Sequence, residues 1–144
     1  MTLPRMLIVA AAMTLPASAH AHRVPAVTVV SSGALRDLNG AEVGRVSIEQ
    51  QGGQVYLHVT GAAKAVGATL EVLVSDSQRS LIAGDHTGPG PQAVQAGLIE
   101  RSEVRYRLPA SVRPGSLRSV WIWCPSVRAA SARATLTPKQ FGSG

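Results

Sequence analysis

Between Val27 and Leu136, turn residues cut the chain into short runs, and most of those runs alternate apolar with polar side chains. This combination constrains the fold more than any other feature, because a period of two is the pattern of a half-buried strand. Gln54 to Thr60 (QVYLHVT) is the clearest case, with Val55, Leu57 and Val59 on one side and Tyr56 and His58 on the other. Glu103 to Leu108 sets Val104, Tyr106 and Leu108 against Arg105 and Arg107, and Pro109 stops it. Thr69 to Ser75 turns Leu70, Val72 and Val74 one way, and Val43 to Glu49 does the same with Val46 and Ile48. Asn39-Gly40, Gln50-Gln51-Gly52-Gly53, Ser75 to Gln78 and Arg113-Pro114-Gly115 read as turns between runs.

Other segments are read less directly. Leu117 to Cys124 is apolar on nearly every position, as expected of a central strand covered on both faces. Val27 to Val30 suits a strand, which Ser31-Ser32-Gly33 is expected to break. Ala93 to Leu98 fits a helical turn or a short strand. Ala129 to Leu136 places Ala130, Ala132, Ala134 and Leu136 on one face of a strand, with a short helix as the alternative because alanine favours it. Gly61 to Gly67, which holds Lys64, and Gly84 to Gln92 read as loops. The expectation is an all-β fold, an antiparallel β-sandwich or barrel of about six to eight short strands. It forms one domain over residues 27–136, followed by a flexible tail at 137–144.

Residues 1–19 lie outside that domain. Met1 to Arg5 is a short basic start, Met6 to Leu15 is an apolar run, and Pro16-Ala17-Ser18-Ala19 supplies small residues. This is the pattern of a signal peptide, cleaved after Ala19 or after Ala21, and it implies a periplasmic or secreted protein. No later run is long enough for a transmembrane helix. Lys and Arg number 14 against 8 Asp and Glu, a net charge of +6, and 12 of the basic residues are Arg. Such a balance suits an anionic envelope component as partner, or simply a solvated surface. Aromatic residues make up 3%, too few for the stacking platforms of single-strand binding, so nucleic acid is not expected.

Cys124 is the only cysteine, so no internal disulfide can form. It is a buried thiol, a reactive thiol, a cofactor ligand or half of an intermolecular bridge. Alternation places it with Val120 and Ile122, and places Trp121 and Trp123 on the opposite face. Arg128 nearby is expected to favour the thiolate. A mature N-terminal His20 or His22 could bind copper through its amine and imidazole, with His58 or His86 completing the set. The serine-hydrolase elbow and the zinc-protease helix motif are both absent, so a hydrolase finds no support in the sequence.

Three segments carry a family resemblance. Tyr106 to Pro109 is followed by Ser119-Val120-Trp121-Ile122-Trp123-Cys124 and then by Ala134-Thr135-Leu136. Upstream stand Gly67 to Ser75, with Ser32-Gly33 and Ala96-Gly97-Leu98. Over about residues 29–136 the chain resembles the DM-thirteen domain, also called the electron-transfer DM domain. It departs from that pattern at Pro125 to Ser131, where the family has phenylalanines. The resemblance implies a β-sandwich-like extracytoplasmic domain in electron transfer rather than an enzyme. Cys124 would be its redox centre, supported by Trp121, Trp123 and Tyr106, with heme or a metal as cofactor and a redox protein as partner. The competing readings are a non-catalytic envelope-binding module with a structural Cys124, and the copper protein using His20 or His22.

Overall fold

The computed structural model describes residues 23–62, 69–82, 86 and 88–140. The segment expected to be a signal peptide, with His20 and His22, most of the loop holding Lys64, part of Gly84 to Gln92, and residues 141–144 lie outside those residues. Among the described residues nine strands form: β1 Thr28–Asp37, β2 Glu42–Gln51, β3 Gln54–Thr60, β4 Glu71–Ser75, β5 Val94–Leu98, β6 Glu103–Arg107, β7 Ser119–Cys124, β8 Ala129–Thr135 and β9 Thr137–Pro138. Every pairing is antiparallel, in the order β5-β4-β7-β8-β1-β2-β3-β6, with β9 added to β1. The all-β antiparallel class is therefore as expected, and the strands make one continuous sheet. That sheet curls until its two ends meet, giving a nearly closed barrel. At the seam the Tyr106 hydroxyl on β6 donates to the Leu98 carbonyl on β5 at 2.6 Å.

Alternation dictates which side chains fill the interior. Leu57 and Val59 of β3, Val72 and Val74 of β4, and Val120 and Ile122 of β7 are all at most 3% exposed. Each contributes about 1.5–3 kcal/mol relative to exposure. The β2–β3 hairpin closes through Gly52 and Gly53, at φ 57° and 78°. Positive φ at both central residues is the mirror-image turn whose twist matches paired strands, and glycine reaches it without strain.

Two local expectations change. Ser31-Ser32-Gly33 does not break the first strand, because β1 runs through it. Gly33 sits where β1 changes neighbour, from β9 at Ser31 and Ser32 to β8 at Leu35 to Asp37. A Cβ there would overlap the Thr135 carbonyl, so glycine permits the close approach rather than ending the strand. The segment expected to be a tail from residue 137 begins as β9, and the Lys139 amide donates to the Val30 carbonyl at 2.9 Å. The two open segments both resolve as strands, β5 and β8.

The outer face of β7 is also covered. The Trp121 indole N–H donates to Ser119 Oγ at 2.9 Å, and that hydroxyl donates to the Ser77 carbonyl at 2.7 Å. Ser75 Oγ donates to the Pro89 carbonyl at 3.3 Å, and Gly88 lies against the Trp123 ring. The connection between β4 and β5 thus folds back over β7, which explains why that strand is apolar on both faces.

The β7–β8 turn ends at Arg128, whose φ is 51°. An L-residue there carries about 1–2 kcal/mol of strain, only partly offset when glycine adds its own entropy cost. Arg128→Gly is expected to raise stability by about 0.5–1 kcal/mol, seen as a higher urea midpoint at unchanged slope.

Candidate functional site

Cys124 is the last residue of β7 and pairs with Ala129 across the turn. It is half-buried, with one side packed against the barrel core. Its Sγ lies 3.3 Å from Ser126 Oγ. The thiol pKa is lowered from its ordinary value, first by that hydroxyl and then by the backbone N–H groups of Val127 and Ser126, while partial burial pushes the other way. Donors aimed at sulfur favour the thiolate, which is the nucleophilic form. The Arg128 charge is not among the causes. Arg128 acts through its backbone instead: its carbonyl accepts from His86 Nδ1 at 2.8 Å, tying the β4–β5 connection to the turn that carries the thiol.

The supporting aromatics do not gather at the sulfur. Trp121 is 2% exposed and belongs to the outer layer under the β4–β5 connection. Trp123 lies beside Gly88 in the same layer. Tyr106 is held at the β5–β6 seam, with β5 and β4 between its strand and β7. Its ring rests on Gly97, where an added Cβ would come within 2.5 Å of Cδ1 and Cε1. Burial first, and Glu100 second, raise the Tyr106 pKa.

Folding assembles one cluster that sequence reasoning did not find. On the outer face of β2, β3 and β6, Glu49 accepts from Arg105 Nε at 3.0 Å and from Ser47 Oγ at 3.2 Å. One His58 ring nitrogen lies 3.2 Å from Glu49 and the other 2.9 Å from Glu103. The Arg105 guanidinium stacks on Tyr56 at 3.7 Å and donates to Gln51 at 2.9 Å. The one available signal was alternation, which puts His58 and Arg105 on polar faces; the pairing of those faces depends on long-range register.

Among the described residues, the supporting aromatics do not gather at Cys124 as a large cofactor would require. Among the described residues, four surface grooves of 240 to 320 Å3 are lined by other side chains, and none of the four reaches Cys124, Trp121, Trp123 or Tyr106. Among the described residues, no three His, Cys, Asp or Glu side chains converge as metal ligands would. His58 is engaged by two carboxylates and His86 by a carbonyl. The copper reading therefore rests on His20 and His22, outside the described residues. Comparison with protein-family models, curated proteins and solved structures finds no match to this chain.

Proposed function

We propose that the chain is an exported redox domain, periplasmic or secreted, in which Cys124 exchanges disulfides with a partner protein. The observation that carries this reading is the thiol's setting: half-buried at a strand end, with Ser126 and turn N–H groups lowering its pKa. The resemblance of Ser119–Cys124 to the electron-transfer domain points the same way. In the exchange, the Cys124 thiolate attacks one sulfur of the partner's disulfide. A mixed disulfide forms, the partner's S–S bond breaks, and the second sulfur leaves as a thiolate that takes up the proton Cys124 gave to solvent. With no second cysteine here, a low-molecular-weight thiol attacks the Cys124 sulfur of the mixed disulfide and releases the partner as a dithiol; a second such thiol then frees Cys124, so two electrons pass to the partner and the two small thiols end as one disulfide.

The test is alkylation of the folded mature protein by iodoacetamide across pH, with glutathione disulfide as the exchange probe. Cys124 is expected to react in the folded state with a midpoint below the ordinary 9.0, and to form one mixed disulfide with glutathione. Ser126→Ala should move the midpoint upward while leaving the fold intact. A thiol that reacts only after unfolding would overturn the reading. It would favour the envelope-binding module with a structural cysteine, for which the packing of Cys124 against the core is the supporting observation.

A further inference from the structure

We infer that the outer face of β1, β8 and β9 holds a binding site for a tetrahedral oxyanion, a phosphate or sulfate group, between Arg36 and Arg133. The two arginines are direct cross-strand partners, and the residues beside them, Leu35 and Ala134, point into the core. Both guanidinium groups therefore stand on the outward face, in an arrangement that is unfavourable for like charges. Among the described residues neither has a carboxylate within ion-pairing distance. Glu42, the β2 neighbour of Arg36, is bound to Arg45 at 3.2 Å.

Neutral acceptors hold each guanidinium in place. Arg36 donates to the Gly40 carbonyl at 3.0 Å and Arg133 to Thr135 Oγ1 at 2.8 Å, while the Arg133 guanidinium lies 5.4 Å from the Trp121 ring. Among the described residues their remaining donors have no acceptor, and Arg133 Nε is buried without a hydrogen-bond partner. A donor left in that state is costly until an acceptor arrives. Between the two side chains lies a groove of about 320 Å3, floored by Gly33 and Ala34 and edged by Thr135 and Thr137. The floor is small because Gly33 must let β8 approach, and Thr137 is in place because β9 pairs with β1. Two guanidinium forks and two hydroxyls with no acid among them match the oxygens of phosphate or sulfate.

The site is independent of the thiol. Mature protein would be titrated calorimetrically with inorganic phosphate, inorganic sulfate and a sulfated disaccharide at fixed ionic strength. Saturable binding at one site is expected, weakened roughly tenfold or more in Arg36→Gln and in Arg133→Gln. Arg107→Gln, which removes an equal charge on β6, should leave it unchanged. Similar affinity for the free ion and the disaccharide would identify the ion as ligand, whereas binding only to the disaccharide would place the group on a saccharide. Arg36 is exposed and lies outside the core, so its variant keeps the test valid if Arg133→Gln folds poorly. Equal affinity in all three variants, or no saturable binding by any probe, would overturn the inference.

Discussion

Trp121→Ala is expected to destabilise the protein by about 3–5 kcal/mol, the largest loss from any single truncation considered. Domains of this size hold roughly 5–15 kcal/mol in total, so the variant would lose about a fifth or more of its stability. The ring is 2% exposed yet lies outside the barrel, between β7 and the β4–β5 connection. Removing it leaves a void with rigid sheet on one side. It also takes away the ring beneath Arg133 and the indole donor to Ser119 Oγ. Trp121→Phe should recover most of the loss, because the phenyl ring refills most of the void and Ser119 Oγ, losing the indole donor, keeps its bond to the Ser77 carbonyl. The check is urea unfolding of both variants, with the midpoint falling far for alanine and modestly for phenylalanine. A small loss in Trp121→Ala would mean that the outer layer collapses onto β7 and is no true second core.

The strands were readable because alternation is a local property. Leu57 and Val59 had to face inward once Tyr56 and His58 faced outward, whatever the neighbouring strands were. The Gly52-Gly53 turn was readable for the same reason. Gly33 misled because glycine marks a break in isolation, and only the approach of β8 shows why it stands inside a strand. Thr137 and Pro138 look like a tail until β1 supplies the edge they pair with. At the thiol, the strand-end position of Cys124 was legible, but the role of Ser126 required turn geometry. The sequence offers Arg128 for its charge, whereas the fold uses its carbonyl. The Arg36–Arg133 pair was invisible because a register between distant strands sets it. Glu49, His58 and Glu103 were hidden for the same reason.

The barrel's seam gives the second large effect. Gly97→Ala is expected to cost about 2–3 kcal/mol, the upper range for overpacking a site that cannot relax. The new methyl would meet the Tyr106 ring at 2.5 Å. The ring cannot swing away without giving up the 2.6 Å bond from its hydroxyl to Leu98. A double-mutant cycle isolates that clash: in a Tyr106→Ala background, Gly97→Ala should be nearly neutral, because the methyl enters the space the ring has left. An additive result would mean that Gly97 is required by the β4–β5 pairing rather than by the seam. Tyr106→Phe tests the hydroxyl alone, at about 1 kcal/mol for the lost bond. It also carries a pH signature. Burial and Glu100 raise the Tyr106 pKa above its ordinary 10.0, so the neutral phenol is favoured in the folded state. Its stabilising contribution is complete below 10.0 and is lost as pH rises through the higher folded value. Between 10.0 and that folded value the wild type should lose stability more steeply than Tyr106→Phe, which has no phenol to ionise. Parallel curves would show that the seam opens before the phenol titrates. The two end strands would then be held by their flanking loops, not by the tyrosine that bridges them.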